Sequence, residues 1–214
     1  MSRGKFITIE GGEGAGKSTQ VARLCTRLRG RGLEVVATRE PGGSEAALEV
    51  RRLLVEGAVD RWDPLSELLL HSAARREHLV ATVRPALETG RWVVSDRFAD
   101  STMAYQGHGH GLGREAVASV TGLVVGETKP DLTIILDLPV EAGLARAQAR
   151  EDAKGSKEDR YERMPAGFHE RLREGFLDIA RREPERCVIV DAAPDAETVA
   201  EAVWRAAAER FNLG

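Results

Sequence analysis

Gly11-Gly12-Glu13-Gly14-Ala15-Gly16-Lys17-Ser18 follows directly on the apolar run Phe6-Ile7-Thr8-Ile9, and Thr19 opens a helical pattern behind it. Residues of these types in this order can grip a nucleoside triphosphate. The glycines let successive backbone N–H groups turn inward around anionic oxygens, Lys17 reaches the outer phosphates, and the Ser18 hydroxyl is a ligand for magnesium. A glycine-rich turn without chemistry is the competing reading. It explains neither the β-rich run before the loop nor Val21, Leu24, Cys25 and Leu28 at helical spacing after it. The chain uses 26 arginines and five lysines, so a lysine here departs from its habit. A compact ammonium on a flexible stem suits a point contact between phosphates better than a planar fork.

Such a loop needs a strand to launch it and a helix to receive it. β-rich runs recur at Lys5–Glu10, Leu33–Thr38, Trp92–Ser95, Leu132–Leu138 and Cys187–Val190, with helical patterns between them. That alternation predicts an α/β fold, a five-stranded parallel sheet with helices on both faces and right-handed crossovers. The runs lack period-two alternation, as strands covered on both sides should. Between the second and third runs, Ser44 to Gly90 reads as two or three helices carrying Leu65, Leu68, Leu69, Leu79, Val80, Val83 and Leu87, with a kink at Pro85. Val140 to Arg150 is helical. Glu151–Asp159 is charged, contains Gly155-Ser156 and lacks a core-facing stripe, which predicts a mobile surface segment. Phe168, Leu172, Phe176 and Ile179, then Val199, Val203 and Trp204, mark two closing helices.

In open α/β sheets ligands bind at the carboxyl ends of the strands. Those ends are charged here: Arg39-Glu40 before Pro41-Gly42-Gly43, Asp96-Arg97, and Asp137. Asp96 or Asp137 could support magnesium through Ser18 or water; Asp96 is favoured because Arg97 beside it puts a bidentate phosphate ligand at the same edge. A helix-capping surface pair is the alternative for Asp96-Arg97, a solvated turn for Arg39-Glu40, and a solvated helix face for Arg75-Arg76. Arg146 and Arg150 share one helical face and are followed by Lys154, Lys157 and Arg160. Phosphoryl transfer needs aligned oxygens and positive charge on the γ-phosphoryl, and the loop offers only Lys17. This second cluster is the best source of the rest, although its acids nearly balance its bases.

The bulk numbers agree. With 214 residues and a formal charge of −3, the chain fits one domain (1–214) and has no overall field to hold nucleic acid. Cys25 and Cys187 are far apart and lack metal-ligand spacing, which predicts buried free thiols in a reducing cytosol. The N-terminus runs at once into the first strand, and no apolar stretch approaches the ~20 residues that span a bilayer. A soluble, cytoplasmic protein without a membrane partner is expected.

Taken together, Glu10 to Thr19, Thr38-Arg-Glu-Pro-Gly-Gly43, Asp96-Arg97 with Ser101-Thr102-x-x-Tyr105-Gln106-Gly107, and Pro130-Asp-Leu-Thr-x-x-Leu-Asp137 strongly resemble the bacterial thymidylate kinases, P-loop NTPases, over nearly the whole chain. The resemblance implies ATP plus dTMP giving ADP plus dTDP in dTTP biosynthesis, with magnesium, in a homodimer. It implies a triphosphate loop at 11–18, an acceptor-binding insertion over about 39–90 and a small lid over about 146–160. ATP would lie on Gly11 to Thr19, including Ala15, with Ser18 and Asp96 on the metal. Glu13 would contact the sugar 3′-hydroxyl. Arg39, Arg75 and Arg97 would surround the monophosphate, with Ser101, Thr102 and Gln106 around the acceptor, the last two near the base, and Tyr105 crowding the sugar 2′ position. The family divides by whether the catalytic arginine sits in the triphosphate loop or in the lid. This loop has none, which implies the lid type with Arg146, Arg150 and Arg160 as candidates beside Lys17 and Arg97. Where relatives place a base-stacking phenylalanine, this chain has His71. Other readings remain: a kinase for another nucleotide, a nucleotide-operated switch or motor, or a catalytically dead binding module. A guanine-reading motif, a basic track and added domains are not evident, and Lys17 and Ser18 are intact.

Overall fold

The computed structural model describes residues 3–154 and 158–213. Its sheet is built of β1 (Phe6–Gly11), β2 (Val35–Arg39), β3 (Trp92–Asp96), β4 (Leu132–Asp137) and β5 (Cys187–Asp191). The strand order is β2-β3-β1-β4-β5 and every neighbouring pair is parallel. Each strand lies within two residues of its sequence-predicted span. β1 is buried along its whole length because it is central and covered on both faces. Its one polar interior residue besides Glu10, Thr8, shares a 2.8 Å hydroxyl bond with Thr133 of β4, so neither oxygen is stranded.

Helices cover both faces. On one side α1 (Lys17–Gly30) and α9 (Ala196–Phe211) pack Leu24, Leu28, Val203 and Ala207 against Ile7, Ile9 and Leu136. On the other, α8 (Ala166–Arg182) lays Phe168, Leu172, Phe176 and Ile179 over Ile135. The segment between β2 and β3 holds α2 (Glu45–Val55), α3 (Pro64–His78) and α4 (Arg84–Glu88). Ser44 caps α2, and Asp63 with Pro64 at the first helical position starts α3. The kink expected at Pro85 takes a specific form. Proline lacks an N–H and its ring crowds the carbonyl four residues back, and the chain widens into a π-helical turn at Leu79–Val83 before α4.

After β3 come α5 (Ala99–Thr102), a second π-helical turn at Met103–Gly109, and α6 (Arg114–Val125). That turn packs against α8 so closely that a Cβ at Gly109 would meet the Phe168 ring at 2.6 Å. α7 (Val140–Lys154) runs four residues further than its sequence pattern predicted, into the span read as a mobile segment. Gly155, Ser156 and Lys157 lie outside the described residues, as do the side chains of Glu151 and Lys154. Cys25 and Cys187 are free and buried, as expected.

Candidate active site

The C-terminal ends of β1, β2 and β3 open into a cleft of about 510 Å³. At one end is the glycine loop. Gly14 (φ +66°) comes so close to α7 that a Cβ would sit 2.0 Å from the Gly143 carbonyl oxygen, and Gly16 (φ +86°) turns left-handed to start α1. The loop therefore directs N–H groups and the α1 N-terminus into the cleft. Lys17 Nζ donates to the Gly12 carbonyl at 2.6 Å, across the loop. Burial, with Arg97 nearby, pulls the Lys17 ammonium down to about 8.

Ser18 Oγ lies 2.5 Å from Asp96 Oδ2, whereas Asp137 is committed to Arg173 through two bonds of 2.7 and 2.9 Å. The Ser18–Asp96 pair offers two hard oxygen donors beside the loop. No cluster of three or more acidic, histidine or cysteine side chains suited to a metal exists among the described residues. A divalent cation there would take its remaining ligands from phosphate and water, as magnesium characteristically does.

Arg97 follows β3 with φ +70°, a left-handed conformation rare for an arginine. Its N–H donates to Ile9 O and its carbonyl accepts from Ser95 Oγ, which fix the turn. The guanidinium donates to Gly11 O at 3.0 Å, to Ser101 Oγ at 3.1 Å and to both Glu13 oxygens at 3.2 Å, and lies over the Tyr105 ring. Burial opposes ionisation of Glu13. Arg97, Lys17 and the Tyr105 hydroxyl, which donates at 2.5 Å, outweigh it and hold the carboxyl at about 2.

At the other end the walls are α2, α3 and the Ala99–Gly109 segment. α3 presents Glu67, His71 and Arg75 at four-residue spacing, one row on one face. Arg75 is buried. Its Nε donates to Glu40 Oε2 at 2.7 Å and its Nη2 to Phe98 O and Thr102 Oγ1, while Nη1 has no protein partner. Glu40 also takes His78 Nδ1 at 2.9 Å, and Arg75 and His78 together overcome burial to keep its carboxyl low. So Arg75 sits with Thr102 rather than with Arg97. Of the Arg39-Glu40 pair, Arg39 is exposed at the cleft's rim and Glu40 is an internal brace. Gln106 is buried, gives its NH2 to Glu67 Oε1 at 2.7 Å, and leaves Oε1 unpartnered. His71 Nε2 is 2.8 Å from the Tyr161 hydroxyl, and burial presses this imidazole down to about 4, so it is neutral at pH 7.

The three candidate arginines after β4 separate. Arg146 donates 2.8 Å bonds to the Ala192 and Ala193 carbonyls. Arg150, half exposed, lines the cleft and pairs with Glu162. Arg160 corrects the expectation that it belongs to an open lid. It is fully buried, donates to the carbonyls of Leu54, Ala58 and Val59, and is paired with Glu67. A guanidinium with that many partners is a clamp on the α2–α3 connection. Sequence reasoning missed Glu67, Tyr161 and Arg51, whose guanidinium spans Pro41 O and Glu158. The four-residue spacing from Glu67 to His71 was the one available signal.

A loop of this geometry on a five-stranded parallel sheet, with a second charged pocket facing it, defines a P-loop phosphotransferase. The comparisons narrow this. The thymidylate kinase family model matches residues 9–203. The chain is 51% identical to the thymidylate kinase of Caulobacter vibrioides over 213 residues, covering 100% of both. It is 50% identical to that of Jannaschia sp. over 206 residues, covering 96% and 97%. The crystal structure of thymidylate kinase from Ehrlichia chaffeensis superposes with a TM-score of 0.76 at 34% identity, covering 95% of this chain and 98% of that one. The chain belongs to the thymidylate kinase family of ATP-dependent phosphotransferases.

Proposed function

We propose that this cleft phosphorylates dTMP, with the donor on the loop at 11–18 and the acceptor between Arg97 and the α3 wall. The chain transfers the γ-phosphoryl of ATP to dTMP, giving ADP and the dTDP from which dTTP is made. The observation that carries the base assignment is a pair of buried, unpartnered polar atoms, the donor Arg75 Nη1 and the acceptor Gln106 Oε1. Thymine offers their complements, a carbonyl oxygen at position 4 and an N–H at position 3. Thr102 positions Arg75, and His71 supplies a flat ring for stacking. This reading moves Arg75 from the monophosphate to the base and leaves Arg97, with Arg39 and Ser101, to the phosphate.

Glu13 and Arg97 make long bonds to each other, which an arriving phosphate and sugar hydroxyl can replace: Arg97 turns to the phosphate and Glu13 accepts from the 3′-hydroxyl. Tyr105, fixed by Glu13, stands where a 2′-hydroxyl would need room. Lys17 neutralises the outer phosphates of ATP. Ser18 and Asp96 would hold magnesium, which would supply further positive charge to the phosphates. Arg150 leaves Glu162 to meet the γ-phosphoryl. Arg146 is tied to backbone carbonyls and is the second choice. The loop, the 39–90 insertion and the part of α7 that carries Arg146 and Arg150 are parts of one kinase unit.

A homodimer is supported by large apolar side chains in solvent on three helices of one region: Leu48 and Leu53 on α2, Leu65 and Leu69 on α3, and Leu123, 86% exposed, on α6. No helix among the described residues is long and apolar enough to cross a membrane. A cytoplasmic site of action fits this and the two free thiols. ADP release measured across dTMP, dUMP, dCMP, dGMP and UMP tests the reading. Highest kcat/KM for dTMP is expected, and preference for another acceptor overturns the base assignment.

A further inference from the structure

Glu67 is not among the residues that line the cleft, yet it is among the most heavily committed carboxylates of the described residues. It is fully buried, is paired with the fully buried Arg160, lies 3.1 Å from His110 Nε2, and accepts from Gln106 Nε2 at 2.7 Å. A charged group so deep must do something that an apolar side chain cannot, because burying it is costly. Its neighbours show what. Glutamine's two amide ends are nearly the same shape, and only their hydrogen-bond partners decide which way round the group stands. An ionised carboxylate accepts and never donates. Gln106 must therefore give its NH2 to Glu67 and turn Oε1 away from it; that atom is buried without a protein partner, and Gln106 lines the cleft.

We infer that Glu67 is a positioning residue that sets base specificity: it locks the Gln106 amide with its oxygen outward, so the pocket accepts a pyrimidine with N–H at position 3 and refuses one with a bare nitrogen there. Arg160 and His110 stop the carboxylate from rotating away. This inference rests on the proposed seating of the base against Gln106 and Arg75. Thymine and uracil carry the N3–H. Cytosine carries a lone pair at N3 and an amino group at C4, so it confronts Gln106 Oε1 with an acceptor and Arg75 Nη1 with a donor. Each mismatch strands a buried group, which is how a pocket rejects an analogue of almost identical shape.

The test is Glu67→Gln. Arg160 only donates, so the new amide oxygen faces it and the new NH2 faces Gln106, which must then flip. The ratio of kcat/KM for dTMP to that for dCMP is expected to fall at least about tenfold, chiefly through a higher KM for dTMP. Glu67→Asp, which still only accepts, is expected to keep the ratio even if turnover drops. Equal losses for both nucleotides in Glu67→Gln would overturn the inference and leave Glu67 a structural residue. Gln106→Leu separates this from the reading beneath it. If that variant handles dTMP normally, the base is not at Gln106 at all; if it loses dTMP while Glu67→Gln keeps the wild-type ratio, only the role of Glu67 is wrong. Should Glu67→Gln not fold, neutron diffraction on the unmodified, deuterium-exchanged protein with bound dTMP decides. Two deuterons are expected on the Gln106 amide atom that faces Glu67, and two deuterons on the amide atom that faces the base overturn the proposal.

Discussion

The two ends of the cleft are made in opposite ways. The end proposed for the donor is one continuous stretch, Gly11 to Thr19, whose backbone is shaped by glycines and by the start of α1. The end proposed for the acceptor is gathered from afar. Gln106 meets Glu67 across 39 positions, His71 meets Tyr161 across 90, and Arg97 meets Glu13 across 84. One end stores its function in local chain geometry, which spacing reports directly. The other stores it in the polarity of side chains, each fixed by a buried partner from a different element. Substitutions at the donor end should therefore change rate and leave selectivity alone, and those at the acceptor end should change selectivity or stability.

The largest effect tests whether α7 completes the donor end. Arg150→Ala is expected to lower kcat by ~10³ to 10⁵-fold, the usual worth of one arginine on a transferring phosphoryl, with KM for dTMP nearly unmoved in steady-state assays. A loss under tenfold would pass the role to Arg146. Next comes Arg160→Ala, which breaks the comparison if it behaves like Arg150→Ala. Removing one partner of a fully buried ion pair leaves Glu67 uncompensated and should cost roughly 3–5 kcal/mol. With about 2–4 °C lost per kcal/mol in a chain of this size, calorimetry should show a melting point lower by about 6–20 °C. Lys17→Ala should reduce kcat/KM for ATP by ~10² to 10³-fold, as removal of one preorganised donor does, with the circular dichroism spectrum and the preference for dTMP unchanged.

The same contrast explains what could be read beforehand. The sheet, its strand limits and the triphosphate loop were legible because apolar periodicity and glycine spacing are properties of neighbours in sequence. Asp96 could be favoured over Asp137 because Arg97 stands next to it, and Ser18 does face Asp96. Arg75 could not be told from a solvated arginine, since what buries it is Glu40 from β2, Phe98 O and Thr102. Arg160 looked like an open-lid cation because its carbonyl partners at Leu54, Ala58 and Val59 carry no signature in sequence. The π-helical turn at Met103–Gly109 was equally hidden: no residue pattern announces one extra residue in a helical turn, yet it carries Tyr105 and Gln106.

The two smallest predictions probe single atoms. Lys17 loses its proton as pH rises through about 8, so the free enzyme gives up its phosphate-binding charge in the alkaline direction. Raising pH from 7 to 9 should lower kcat/KM for ATP roughly tenfold, with kcat less affected because bound triphosphate holds the proton on. A flat profile would mean that the loop's N–H groups carry the phosphates alone, an even sharper version of the contrast.

At the acceptor end the matching single-atom change is His71→Phe. A phenyl ring is a better stacking surface than a neutral imidazole, a gain of about 0.5–1.5 kcal/mol where rings pair. It also takes from the Tyr161 hydroxyl its 2.8 Å partner while leaving Glu67 and Arg160 beside it, a loss of about 0.5–1.5 kcal/mol. The first acts on binding and the second on the fold, so KM for dTMP should fall by no more than about tenfold while the melting point drops by a few degrees. Adding Tyr161→Phe removes the hydroxyl together with its contacts to Glu67 and Arg160, so KM should stay at the single variant's value while the melting point does not recover. If the single variant instead raises KM more than ~30-fold and the double variant does not recover it, His71 touches the base through a ring nitrogen. Stacking would then not be its role, and the acceptor end would read polarity on both of its walls.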